Sequence, residues 1–253
     1  MGTFVTLMYH NLADVANSTY TVTFESFNNQ ISWLKSEDFV IEGFDGLERR
    51  LITNQWPSRY VVMTFDDGHS SNLRAAEVLR KVGGQATFFL TKHFCQTRRD
   101  YLSKHDICEL ADLCHVGSHS VTHPFMAKMS TEHICYELSN SKVWLEQLVG
   151  KAVTTFSAPN GSMNVTVRNL AINLGYTLLG NSLEWWNDPS RIARIRTVNR
   201  IAIRRSFSLE TFAGILRQEG WFFMKRRIRY HALAIVKGLL TPEQIRYVRG
   251  SNK

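Results

Sequence analysis

The sequence predicts a single-domain α/β protein built as an incomplete or distorted (β/α)7 barrel. Three observations carry that expectation. The 253 residues are 44% hydrophobic and 21% charged, a globular composition at a length that one large domain can fill. Short apolar runs rich in Val, Thr and Phe alternate with stretches of helical periodicity, as in a parallel sheet wrapped by helices. Seven such runs, with about as many helical stretches, favour a barrel over an open sheet.

In chain order the expected strands are 3–9 (TFVTLMY), 60–66 (YVVMTFD), 85–91 (QATFFLT), 114–118 (CHVGS), 153–158 (VTTFSA), 177–181 (TLLGN) and 199–203 (NRIAI). Helical spacing is clearest over 24–36, 44–52, 72–82, 104–113, 131–148, 165–174 and 208–217. Gly83-Gly84, Gly150 and Gly175 stand where three of these helices should end. No internal repeat or linker interrupts the pattern. A chain this long buries roughly 70–75% of its unfolded surface, so it needs neither a disulfide nor a structural metal.

The N-terminus, MGTFVTLMYHNLADV, lacks the basic and apolar regions of a signal peptide, and no apolar run approaches the ~20 residues of a membrane span. The expected location is cytoplasmic. Cys95, Cys108, Cys114 and Cys135 form no C-x-x-C pair and read as free thiols. Charge is unevenly placed: residues 191–253 hold 15 Lys+Arg against 3 Asp+Glu, whereas residues 1–190 carry a net −4. Within that basic quarter, 221–240 (WFFMKRRIRYHALAIVKGLL) mixes aromatic and aliphatic residues with five Lys+Arg and no acid. It reads either as an amphipathic helix closing the barrel or as an interfacial helix touching anionic membrane lipid. The expected division is therefore 1–220 as the functional domain and 221–253 as a basic amphipathic extension. No nucleic-acid motif accompanies the charge, so nucleic acid is not the expected partner.

In a βα barrel, functional groups gather where strands end and the following loops begin. Thr64-Phe65-Asp66-Asp67-Gly68-His69 sits at such an end. Adjacent carboxylates there point to different sides, so one can bind a cation while the other faces a reacting water. The structural alternative is a turn with Gly68 at positive φ and a helix cap from Ser70, Ser71 or Asn72. After strand 114–118 comes His119-Ser-Val-Thr-His123-Pro124. Its H-x3-H spacing would set two imidazoles on one side of a helical turn, stopped by Pro124. Together, Asp67, His119 and His123 make a two-nitrogen, one-oxygen set suited to zinc or a similar divalent ion, with positions left open for water and substrate.

These motifs resemble the polysaccharide deacetylases, the NodB-homology carbohydrate esterases. Thr64 to Gly68 is similar to the family's TFDDG and His119 to Pro124 to its H-S/T-x-x-H-P. Phe156-Ser157-Ala158-Pro159-Asn160-Gly161 occupies the place of its third motif. The resemblance covers about residues 3–217. It implies a metal-dependent removal of acetyl groups from an N-acetylated sugar or glycan, with Asp66 as general base and Asp67, His119 and His123 as ligands of one divalent ion, zinc above other transition metals. Pro159, Asn160 and Gly161 would lie against the substrate, as would Trp185 and Trp186 at the fourth motif's place.

Two departures stand out. The family's third motif usually opens with an Arg that orients the catalytic aspartate, and here that place is Ser157. Arg200 is the candidate replacement and is grouped with the substrate-side residues. The family's late histidine is also missing. A subgroup carries Tyr-His at the end of its first strand, similar to Tyr9-His10, which makes His10 the candidate general acid and His231 a weaker one. Because of these departures, a catalytically impaired carbohydrate-binding member is the alternative reading.

Overall fold

In a computed structural model, residues 2–224 are described. The chain runs β1 (Val5–Tyr9), β2 (Asn11–Ala13), β3 (Thr21–Thr23), α1 (Phe24–Ser36), β4 (Val40–Glu42), α2 (Phe44–Thr53) and β5 (Tyr60–Phe65). It continues through α3 (Ser71–Lys81), β6 (Thr87–Leu90), α4 (Lys92–Thr97), α5 (Lys104–Leu113), β7 (His115–Ser118), α6 (Thr131–Val149) and β8 (Thr155–Ser157). The last elements are α7 (Val165–Asn173), β9 (Leu178–Gly180), α8 (Pro189–Ile195), β10 (Thr197–Val198), β11 (Ile201–Ala202) and α9 (Leu209–Leu216).

The seven expected strands and seven expected helices are all present, with ends shifted by no more than two residues. Helix starts follow capping chemistry: Thr23, Ser103, Ser130, Asn164 and Ser208 each accept a backbone N–H from the first turn of their helix, and Ser103 with Asp106 forms a full capping box. The short β2, β3 and β4 and the helices α4 and α8 were not expected.

The main sheet is parallel, in the order β10-β9-β8-β7-β6-β5-β1-β11, with β4 beside the first half of β5. Its two ends are halves of one chain segment. Residues 197–198 pair with β9, residues 201–202 pair with β1, and Asn199-Arg200 form the break between them. The expected strand 199–203 is thus the second half of an interrupted seventh strand. Buried Asn187 stitches the break. Its side chain accepts the Asn199 N–H at 2.8 Å and donates to the Asn199 carbonyl at 2.8 Å, while its backbone pairs with Phe4.

Period-two alternation along β5 sends Val61, Met63 and Phe65 into the large core beneath the helices. Tyr60 and Val62 join a smaller core with Phe44, Phe89, Leu178 and Ile192. Thr64, and Asp66 just beyond the strand, continue that second face. Asp66 therefore emerges at the carboxyl end of the sheet, where β1, β7 and β8 also end. A cavity of about 480 Å³ at the opposite end, lined in part by Asp45, His115 and Lys151, contains none of the expected site residues.

All four cysteines are unpaired thiols. Among the described residues no helix is long and apolar enough to cross a membrane. Residues 225–240 of the expected interfacial helix, together with His231, lie outside the described residues.

Candidate active site at the carboxyl end of the barrel

Asp67, His119 and His123 come together, their ligand atoms within 4.8 Å of one another. His119 Nε2 lies 3.4 Å and His123 Nε2 3.3 Å from the same Asp67 oxygen. That oxygen is buried and has no hydrogen-bond partner, an arrangement that suits a cation between the three groups. The Nδ1 of His119 is 2.8 Å from the Ser157 carbonyl, which fixes the ring with Nε2 toward the site. Burial pushes the Asp67 carboxyl up, but the two histidines outweigh it and hold it well below the usual carboxylate range. The three residues fit a divalent ion.

The route to this cluster differs from the one the spacing implied. The H-x3-H segment is a loop, not a helical turn: Ser120 and His123 stand at φ 70° and 62°. Asp67 is also left-handed, at φ 77°, followed by Gly68 at φ 87°. For residues other than glycine this region costs roughly 1–2 kcal/mol each, so the surrounding structure must impose it. The helix after Gly68 begins at Ser71, and Ser70 at its N-cap makes no side-chain cap.

Asp66 lies beside the same imidazole, its Oδ2 3.7 Å from His119 Nε2, but is held by a different set of partners. Its Oδ1 receives Arg200 Nη1 at 2.6 Å and its Oδ2 receives Arg200 Nη2 at 2.8 Å; the Ser157 hydroxyl lies 3.1 Å from Oδ2 and accepts from Arg200 at 2.6 Å. Arg200 has no exposed surface, and its guanidinium is taken up by Asp66, the position expected of a replacement for the cation missing at Ser157. It also donates to Thr64 Oγ1 and the Asn181 carbonyl. Burial raises the Asp66 pKa, but the Arg200 charge and His119 reverse this and leave it below the usual range.

His10 follows β1 at the same end of the sheet. Its partner Tyr9 turns into the core and donates to Gln30 at 2.7 Å. The His10 ring packs 5.0 Å from Tyr20, its Nδ1 is buried without a hydrogen-bond partner, and its carbonyl accepts from Asn72. Burial lowers its pKa, opposed by the charges of Asp67 and Asp66.

Pro159, Asn160 and Gly161 form a tight turn after β8. Proline has no N–H, and the Gly161 N–H is donated to Ala158, which leaves Asn160 as the turn's available backbone donor. Trp185 and Trp186 follow β9, half-buried, their rings 4.0 Å apart and both packed on Phe223. The sequence reading missed a second wall. Phe94 packs 5.4 Å from His123 and carries the Arg98 guanidinium 3.7 Å above its ring; Tyr101 packs on Phe94 and on His69. An aromatic in the loop after the third long strand was the only signal for it.

A polysaccharide deacetylase family model matches residues 53–179, half of the chain. The chain belongs to the polysaccharide deacetylase family. The matched span holds Asp66, Asp67, His119, His123 and Pro159–Gly161, while His10 and Arg200 lie outside it. Over 141 residues the chain is 30% identical to a chitooligosaccharide deacetylase of Azorhizobium caulinodans, an alignment covering 54% of this chain and 62% of that one. Over 147 residues it is 28% identical to the peptidoglycan-N-acetylglucosamine deacetylase PgdA of Listeria monocytogenes, covering 57% and 30%. The chain thus spans less than two thirds of these relatives. Among solved structures, the Streptococcus pyogenes deacetylase PplD in complex with acetate superposes with a TM-score of 0.77 at 22% identity, over 85% of this chain and 98% of that one. A Bacillus cereus polysaccharide deacetylase gives 0.75 at 23%, over 85% and 69%. Both are likenesses of fold, and they match the expected barrel.

Proposed function

We propose that this family member is a metal-dependent hydrolase that removes an N-acetyl or similar acyl group from an amino sugar or glycan, with a place in surface polysaccharide biosynthesis. One observation carries the reading: a buried carboxylate locked by Arg200 stands beside the Asp67, His119 and His123 cluster, with Asp66 Oδ2 3.7 Å from His119 Nε2.

Asp67, His119 and His123 would hold the divalent ion, with zinc suited to a set of two borderline imidazole nitrogens and one carboxylate oxygen. When bound, such an ion polarises the amide carbonyl and lowers the pKa of water at the site. Asp66, ionised and fixed, takes the proton as the water oxygen attacks the carbonyl carbon. The oxyanion is met by the Asn160 N–H. His10 delivers a proton to the sugar nitrogen as the C–N bond breaks, giving acetate and a free amine. Trp185 and Trp186 offer an apolar wall for the methyl group and a sugar face. Arg200 supports this reading over that of a carbohydrate-binding member, because it supplies the cation that Ser157 lacks.

The test is acetate release by the full-length, zinc-loaded protein from N-acetylated nucleotide sugars, chito-oligosaccharides and lipid-linked sugars. Equimolar acetate and amine from one class is expected. Binding of these sugars with zinc in place and no release from any of them would favour the binding reading.

A further inference from the structure

The loop that would carry two of the metal ligands has one bond of its own, the His123 N–H to the Ser120 hydroxyl at 3.0 Å, and is otherwise held from outside. It has no regular secondary structure, and two of its five residues are left-handed. Its carbonyls are taken up on one side, where the Lys92 and His93 N–H groups donate to Ser120 and Val121 at 3.2 and 2.9 Å. Two of its amides, at the centre of the loop, are taken up on the other side by a single side chain from α6. Glu137 Oε2 accepts the Val121 N–H at 2.7 Å and the Thr122 N–H at 2.9 Å, and its Oε1 accepts the Thr122 hydroxyl at 2.6 Å.

Glu137 is 3% exposed, and among the described residues it has no cation within ion-pair distance. A buried carboxylate without a cation is costly unless hydrogen bonds fill its lone pairs, and here those bonds come from Val121 and Thr122, two of the three residues between His119 and His123. We infer that Glu137 is the positioning residue of the metal loop, setting the separation of the two imidazoles before an ion arrives. The inference rests on the metal reading above. A carboxylate can grip two adjacent N–H groups with one oxygen and steer the hydroxyl with the other, which an apolar residue of the same size cannot do.

The test compares the full-length wild type with Glu137→Leu, Glu137→Gln, Thr122→Val and Ser139→Ala. Zinc affinity is measured by chelator competition, the cobalt(II) absorption spectrum reports ligand geometry, and thermal unfolding is followed without metal. Glu137→Leu should bind zinc about tenfold to a hundredfold more weakly, with an altered cobalt spectrum. Glu137→Gln should stay within about threefold of wild type, because its oxygen can keep both N–H groups while the Thr122 hydroxyl reverses to accept from the amide. Should the leucine variant fail to fold, Thr122→Val removes one bond alone and should weaken zinc several-fold. Ser139→Ala deletes a half-buried hydroxyl on α6 that bonds the Cys135 carbonyl and does not touch the loop; it should leave zinc affinity unchanged. Wild-type affinity and spectrum in both Glu137→Leu and Thr122→Val would overturn the inference, as would loss of affinity in Ser139→Ala equal to that of Glu137→Leu. Absence of zinc binding in the wild type would overturn the metal reading itself.

Discussion

Arg200 grips both oxygens of the Asp66 carboxylate from 134 residues further along the chain, at 2.6 and 2.8 Å, with neither side chain open to bulk solvent. The cation reaches this carboxylate from the break between β10 and β11.

Arg200→Met should leave Asp66 buried with burial as the dominant influence, so its pKa rises. A base must be ionised to work, and the acid limb of the pH–rate profile should move to higher pH. In the wild type the depressed Asp66 pKa stabilises the fold above the unfolded carboxylate value, and this is lost as pH falls through the folded value. The variant should be less stable by about 3–5 kcal/mol at neutral pH, with the deficit narrowing in acid as the stranded carboxylate protonates. Denaturant unfolding at two pH values checks the sign; an equal deficit at both would contradict the argument.

Gly180 is where Arg200 passes the sheet. A Cβ there would lie 2.8 Å from the Arg200 Nε and 3.1 Å from its Cζ. Gly180→Ala should push the guanidinium off Asp66 and reduce turnover on the order of tenfold, although it touches neither reacting group. Its acid limb should move in the same direction as that of Arg200→Met. A lower rate with an unmoved limb would mean the damage lies elsewhere.

The two neighbouring aspartates should separate cleanly. Asp66→Asn should keep its zinc and lose turnover by on the order of a hundredfold or more, whereas Asp67→Asn should lose zinc first. Elemental analysis beside rate measurement distinguishes them, and zinc loss in Asp66→Asn would make that residue a ligand.

His10 must be protonated to act as an acid, and burial lowers its pKa. The protonated form is then lost sooner as pH rises, so the alkaline limb should lie below the ordinary imidazole range. His10→Ala should remove that limb, lower kcat roughly a hundredfold for an amide, and spare an ester, whose leaving group needs less protonation. Equal loss on both substrates with the limb intact would exclude His10 as the acid.

The barrel was legible because its strands and helices are long enough to show their periods, and the cluster of Asp67, His119 and His123 because all three stand at strand ends. The three-residue strands β2, β3 and β4 carry too little alternation to be seen. The His119–His123 spacing predicted the right cluster through the wrong backbone, since a helical turn and a left-handed loop can both bring such imidazoles together. Arg200 could be named as a candidate but not distinguished from the other arginines of a basic region until Gly180 and the strand break gave it a path inward. Glu137 was invisible, since an acid within a helical stretch looks like any solvated one until the helix is packed.

The interrupted strand at 197–202 also fixes an order of events. Asp66 is synthesised long before Arg200, and the sheet cannot close until residues 197–202 settle between β9 and β1 with the Asn187 amide in the gap. A nascent or truncated chain ending before Arg200 would hold a carboxylate that burial opposes and no cation relieves, so its first strands would stay open to water. The last strand to arrive completes the sheet and brings the Asp66 carboxylate its cation in the same step.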